Sequence, residues 1–265
     1  MKKLLTFGCS YTEQNYIKLT ARHKEISKDL IDHNGIMTGP FPFWPQLLAK
    51  KLDMQNINYA QCGMGNNGIF SLFLDNIMNQ KDIGLVIIMW SEFLRISFEK
   101  KSNTPFARTR EWWKLNINAN IKGKNNHLRK PQLEVSEVLD KYDLISLDSL
   151  TRNSIRFFLT AQQICDSKNI RFVQVMGMPP TRKSFEESAC KTLIDSPLYD
   201  EINESFIGWP IFPQIDGFSC GSKLYELDPN REEYFINYDN VHPNAKGQEF
   251  ITELLYKEVT KNGSI

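Results

Sequence analysis

The sequence predicts a three-layer αβα domain of the α/β class, a parallel sheet with helices on both faces. Three observations lead there. Apolar runs of strand length alternate with stretches whose apolar residues recur at helical spacing. One run, Ile83–Trp90 (IGLVIIMW), is nearly continuous in its apolar character, as a strand covered on both faces must be. With 265 residues and 41% hydrophobic content, the chain is long enough to close one large core, so residues 1–265 read as a single domain.

Residues 2–7 form the first expected strand, followed by a loop carrying Cys9 and Ser10. Residues 44–52 place Trp44, Leu47, Leu48 and Leu52 at helical spacing. A short strand over 56–60 leads to a helix over 68–78, with Ile69, Leu72, Phe73 and Ile77 on one face. After Ile83–Trp90 the sequence predicts a long helix over 143–166 and a buried strand over 170–178. The final helix runs over 244–259, with Asn244 as its N-cap and a stripe of Phe250, Ile251, Leu254, Leu255 and Val259. Ligands of such sheets sit beyond the carboxyl ends of the strands. Ser10, the region of Gly63 and Ser91 each lie just past a strand run, so one sheet edge should collect them.

Composition narrows the partners. A formal net charge of +1 gives no whole-chain attraction to nucleic acid, and no apolar run reaches the roughly 18 residues of a membrane span. Five dispersed cysteines, Cys9, Cys62, Cys165, Cys190 and Cys220, contain no CxxC pair, which favours reduced thiols over a disulfide framework or a zinc site. The expected location is cytoplasmic.

The opening LLTFGCSYT admits three chemistries: a lipidated Cys9, a thiol nucleophile at Cys9, or a hydroxyl nucleophile at Ser10. Leu4, Leu5, Thr6 and Phe7 stand alone between Lys3 and Gly8, short of the about 7–15 apolar residues of an export signal. Neighbours at a strand end point to opposite sides, so a Ser10 that faces a base leaves Cys9 facing inward.

Two stretches interrupt the alternation. Residues 13–38 are largely polar and lead into GPFPFWP. Residues 101–142 read as an insertion or cap. Its segment 101–130 sets eight Lys and Arg residues, among them Lys114, against the single acid Glu111, and it carries Trp112 and Trp113. Such a segment is either a solvated loop whose aromatics pack on the body or a cap that offers stacking surface and positive charge to a sugar or anionic ligand. His23, His33 and His127 lie in polar segments and read as surface residues.

Near the other end stands NYDNVHPNAKGQEF, with Asp239 three residues before His242. A serine hydroxyl is a weak nucleophile until a base takes its proton, and a carboxylate fixes and stabilises that base. Alone the D-x-x-H spacing is unspecific. It gains meaning with F-G-C-S-Y-T after the first strand and N-Y-A-Q-C-G-M-G-N-N, Asn58 to Asn67, after the second.

Together these blocks resemble the SGNH hydrolase superfamily, the GDSL-type esterases and lipases. The resemblance spans the chain from first strand to last helix but is confined to short motifs. It implies a flavodoxin-like sheet, Ser10 as nucleophile, Asp239 and His242 as its partners, and an oxyanion hole built from the Ser10 and Gly63 N–H groups. It implies no cofactor or metal. The family's G-D-S reads G-C-S here. Its third block, G-x-N-D, is met by M-W-S-E-F-L-R, Met89 to Arg95, without the oxyanion asparagine, so Ser91, Asn66 or Asn67 would have to donate instead. Loss of one such donor costs on the order of 10²–10³ in rate.

The expected function is hydrolysis of an ester, weighted towards a carbohydrate ester by Trp112, Trp113 and the basic insertion. The alternative is a weakly active or silent relative that binds a glycan or protein in the same cleft. A nucleotide binder is disfavoured, because no G-x-x-x-x-G-K-[ST] loop is present.

Overall fold

Alternation within the strands fixes the layers. The computed structural model describes residues 1–13, 17–18, 36–37, 41–100, 112–116, 130–237 and 240–261. In chain order these form β1 (Lys3–Gly8), β2 (Ile17–Lys18), β3 (Ile36–Met37), α1 (Trp44–Lys51), β4 (Gln55–Asn58), α2 (Asn66–Ile77), β5 (Ile83–Trp90), β6 (Arg95–Glu99) and β7 (Trp112–Asn116). There follow α3 (Lys130–Lys141), α4 (Leu147–Ser167), β8 (Phe172–Met176), α5 (Glu186–Ile194), β9 (Phe206–Ile207), α6 (Cys220–Leu227), β10 (Phe235–Asn237), β11 (Asn240–Pro243) and α7 (Ala245–Thr260).

The main sheet has the order β4-β1-β5-β8-β9, with every neighbouring pair parallel. This is the doubly wound, flavodoxin-like order. Leu5, Phe7, Val86, Ile88 and Trp90 turn to one face, where they meet Ile69 and Phe73 of α2 and Ile155 and Phe158 of α4. Leu4, Leu85, Ile87 and Met89 turn to the other, against Trp44 and Leu48 of α1, Leu224 of α6 and Ile251 and Leu255 of α7. β5 is apolar throughout because it supplies both cores. The expected three-layer architecture is therefore present. No helix among the described residues is long and apolar enough to cross a membrane.

Three boundaries differ from the sequence expectation for local reasons. α4 starts at Leu147 rather than 143 because Ser146 and Ser149 cap each other: the Ser149 N–H donates to Ser146 Oγ at 3.1 Å and the Ser146 N–H to Ser149 Oγ at 3.1 Å. β4 ends at Asn58 because that side chain accepts the Ala60 N–H at 3.0 Å and donates to Thr12 O at 2.7 Å, turning the chain. α2 starts two residues early, its first turn closing on the carbonyl of Gly65. Asn244 caps α7 as expected, accepting the Gly247 N–H at 3.1 Å.

The strand order reverses between β1, whose other neighbour is β4, and β5. The crevice of such a sheet opens at that switch point, above the carboxyl ends of β1 and β5. Ser10 and Ser91 follow those two ends.

Candidate active site

The loop that carries Ser10 is shaped by its own backbone. Gly8 ends β1 where a β-carbon would stand 2.4 Å from Thr12 Oγ1 and 2.9 Å from Met89 O, so the chain turns there only without one. The Cys9 carbonyl accepts the N–H groups of Thr12 at 3.0 Å and Glu13 at 2.9 Å, closing a tight turn around Ser10. Cys9 is fully buried beside Leu4, Tyr11 and Trp44. Ser10 is buried, with 3% of its surface exposed. All five cysteines carry free thiols.

A second loop comes from the far end of the chain. Asp228 accepts the N–H groups of Glu232 at 3.0 Å, Glu233 at 2.8 Å and Tyr234 at 2.8 Å. Burial works to raise its carboxyl pKa, but these backbone donors prevail and hold it below the ordinary value. β10 then pairs antiparallel with β11, and Asn244 ties the hairpin to α7 by donating to Phe235 O at 2.9 Å. Tyr11 joins the two loops: its hydroxyl donates to Val241 O at 2.8 Å, and its ring lies 5.7 Å from that of His242.

The result is a contact across 232 positions of sequence. His242 Nε2 lies 2.9 Å from Ser10 Oγ, and His242 Nδ1 lies 2.7 Å from Asn240 Oδ1. The same Oδ1 also accepts the His242 backbone N–H at 3.4 Å. A backbone N–H can only donate, so the Asn240 atom facing it is the oxygen, and Nδ1 must then carry the ring proton. That leaves Nε2 as acceptor for the Ser10 hydroxyl. Burial, with Arg95 adding to it, pushes the His242 pKa down to about 3, so the imidazole is the neutral base over the usual pH range. Asp239 lies outside the described residues.

The third element is the loop after β4. Gln61 donates its N–H to Gly8 O at 3.0 Å, which ties this loop to the Ser10 loop. The Met64 N–H returns to Gln61 O at 3.2 Å, and Gly63 between them has φ +75°. A positive φ at the third turn position is that of a type II turn and favours glycine. The Cys62 N–H donates to Glu13 Oε2, and the Lys114 ammonium donates to Cys62 O. Among the described residues, the N–H groups of Ser10 and Gly63 have no acceptor.

Of the three residues expected to replace the missing asparagine, Asn66 and Asn67 are engaged elsewhere. Asn66 accepts the Ser91 N–H at 2.8 Å and donates to Ser154 Oγ at 3.0 Å, joining α2 to β5 and α4. Asn67 donates to Ser97 O at 2.7 Å and accepts the Ser97 N–H at 3.0 Å, clamping β6. Ser91 is fully buried, and its hydroxyl has no partner among the described residues.

Of the expected insertion at 101–142, the described residues are 112–116 and 130–142. β7 pairs antiparallel with β6. Trp112 packs half-buried against the core, and Trp113 lies with its ring 5.6 Å from that of Phe98. His23, His33 and His127 lie outside the described residues. Among those described, no group of three or more His, Cys, Asp or Glu side chains is arranged to hold a metal.

Sequence reasoning missed three contributors. Asn240 stands inside the quoted NYDNVHP, where an Asn two residues before His is a known local turn former. Arg95 closes the quoted MWSEFLR and donates Nε to Glu92 Oε1 at 2.5 Å, its charge near enough to oppose one on His242. Lys114 reads in the sequence only as one of the basic residues of the insertion, because its contact with Cys62 O depends on the hairpin.

No family model and no curated protein sequence matches the chain. Among solved structures it is similar to a protein assigned to the lipolytic G-D-S-L family from Desulfitobacterium hafniense DCB-2. That likeness has a TM-score of 0.46 and 10% identity, and covers 97% of this chain and 99% of the other. It is also similar to a protein assigned as a GDSL-like lipase from Parabacteroides merdae ATCC 43184, with a TM-score of 0.42, 14% identity and coverage of 98% and 97%. At such scores the likenesses stand beside the topology and assign no activity.

Proposed function

We propose that the chain is a serine ester hydrolase, with Ser10 as nucleophile and His242 as general base. The single observation that carries this reading is the 2.9 Å contact of Ser10 Oγ with His242 Nε2, on an imidazole whose opposite nitrogen is held at 2.7 Å. A hydroxyl beside an unprotonated, oriented nitrogen is the arrangement that activates an oxygen nucleophile.

In this reading Ser10 Oγ attacks the ester carbonyl carbon while its proton passes to His242 Nε2. Asn240 keeps the Nδ1 proton in place, and Asp239 is proposed as the carboxylate that stabilises the imidazolium. The N–H groups of Ser10 and Gly63 receive the oxyanion. Collapse of the tetrahedral intermediate expels the alcohol, which takes the proton from Nε2. Water then attacks the acyl-serine with His242 again as base, releasing the acid and restoring Ser10. The proposed substrate class is a small acyl ester, such as an acetylated carbohydrate.

Reaction with a fluorophosphonate tests this directly. The wild type should be labelled on the peptide containing Ser10, and Ser10→Ala and His242→Ala should each lose labelling and p-nitrophenyl acetate turnover with the fold intact. Retention of near wild-type turnover by either variant would sink the assignment.

One observation favours a second reading. Asn66 and Asn67, two candidates for the missing donor, are both engaged in structural hydrogen bonds. A protein of this kind would bind an ester or glycan and turn it over slowly. A labelled Ser10 with slow deacylation distinguishes it.

A further inference from the structure

The planar trans peptide ties two groups of the second loop together. The C=O of Cys62 and the N–H of Gly63 belong to one peptide unit and point in opposite directions. Whatever holds the carbonyl therefore aims the N–H. Lys114 holds that carbonyl: its ammonium donates to Cys62 O, and its Cδ would lie 3.3 Å from a β-carbon on Gly63, so its stem runs along the turn. Glu13 fixes the preceding peptide by accepting the Cys62 N–H. The Gly63 N–H itself has no acceptor among the described residues.

We propose that Lys114 is a positioning residue that orients and polarises the Gly63 N–H as oxyanion donor, so that the β6–β7 hairpin completes the site. This rests on the hydrolase reading given above. A cation on the carbonyl oxygen draws electron density out of the amide nitrogen, which strengthens the N–H as a donor. The gain is largest when an oxyanion forms opposite it, so the device acts on the transition state more than on the bound ester. Burial lowers the Lys114 pKa, while Glu13 beside it favours the charged form.

A purely structural role for Lys114 is separable, because the hairpin has other anchors. Asn67 clamps Ser97 through both its backbone groups, and Ser97 Oγ accepts the Gly65 N–H at 2.9 Å. Asn116 donates to Glu92 Oε1 at 2.9 Å, and Trp112 packs on the core. Removing only the ammonium should leave β7 in place.

The test uses the full chain and compares Lys114→Met, which keeps the stem and loses the donor, with Lys114→Arg. Misaiming a donor should cost less than deleting one, so K114M should lower kcat on p-nitrophenyl acetate by about 10-fold, below the ~10²–10³ of full loss. KM and Tm should stay near wild type. The affinity of a small trifluoromethyl ketone, which forms a tetrahedral adduct on a serine, should fall by the same factor as kcat. K114R should recover most of both. Independently of activity, K114M should shift the Gly63 amide ¹⁵N resonance, which senses the bond on the preceding carbonyl, while core resonances stay put. An unmoved Gly63 resonance, unchanged kcat, or a loss of Tm parallel to the loss of rate overturns the assignment to Lys114. Absence of Ser10-dependent turnover in the wild type overturns instead the hydrolase reading, and this inference with it.

Discussion

Replacing Asn240 with Asp tests how His242 is tuned, because it changes charge and almost nothing else. In the wild type the group facing Nδ1 at 2.7 Å is a neutral amide oxygen, and burial with the Arg95 charge pushes the His242 pKa down to about 3. A base works in its neutral form, so kcat/KM falls only as the pH drops through that lowered pKa. The acid limb should therefore lie well below the roughly 6.5 of a free histidine. Asn240→Asp would put a carboxylate in hydrogen-bond contact with Nδ1. An opposite charge so close raises a histidine pKa by about 1–3 units, and the acid limb should climb by about that many pH units. Asn240→Ala removes the acceptor without adding charge. Loss of one hydrogen bond of about 1–1.5 kcal/mol should cost about 10-fold in kcat/KM and leave the limb low. The assay is kcat/KM for p-nitrophenyl acetate against pH, with stability at each pH checked by return to neutrality. Coincident limbs in wild type and N240D refute the reasoning; a wild-type limb at about 6.5 or above would show that the proposed Asp239 carboxylate outweighs burial and Arg95.

Asp239→Asn should reduce kcat/KM by on the order of 10²–10⁴, more than Asn240→Ala, if Asp239 is the carboxylate of the triad; wild-type rates in D239N would remove it. Cys9→Ala should keep most of the activity, since the thiol is fully buried in the core, and lose about 1 kcal/mol in chemical unfolding; inactivity with an intact fold would restore the thiol as a nucleophile. Trp112→Ala should cost about 2 kcal/mol of stability, below the ~3–5 of a fully buried aromatic, and leave the kcat of a minimal acetyl ester unchanged; a raised KM for an acetylated polysaccharide at unchanged stability would instead favour a cap. Asp228→Ala should lower Tm at neutral pH. The stability Asp228 contributes is complete above the ordinary carboxylate pKa and is lost as pH falls through its depressed one, so the deficit should vanish in strong acid, and a deficit independent of pH would contradict the backbone-capping role.

What the sequence made legible follows from the range over which each signal acts. β5 was legible to the residue, because a strand that feeds two cores is apolar at every position. The start of α7 was legible because its cap is one side chain acting within three residues. The start of α4 was misplaced because the deciding contact is a pair of serines inside an otherwise helical pattern. Ser10 and His242 could be paired from motifs alone, since the fold brings the end of the first strand and the start of the last helix to one edge. The Asn240 contact on Nδ1 was not legible, because D-x-x-H draws attention to Asp239, which lies outside the described residues, and not to the amide beside it.

The hairpin is the harder case, and register explains why. Lys114 stands opposite Ser97, and Trp112, Lys114 and Asn116 alternate onto the side of β7 that meets the core, the Cys62 carbonyl and Glu92. A slip of one residue would turn Trp113 and Leu115 to that side and carry the ammonium away from the turn. Within WWKLN only Leu115, buried on the opposite side, favours the observed register. The Asn67 amide anchors the partner strand, by binding both backbone groups of Ser97 from the first turn of α2. The two asparagines in G-M-G-N-N thus have a physical use apart from donating to an oxyanion: Asn66 holds the end of β5, and Asn67 anchors β6, the strand on which β7 pairs. On the proposed role of Lys114 the insertion reaches the site through a hairpin anchored by an asparagine, and loosening that anchor by Asn67→Ala should disturb the Gly63 amide as Lys114→Met does.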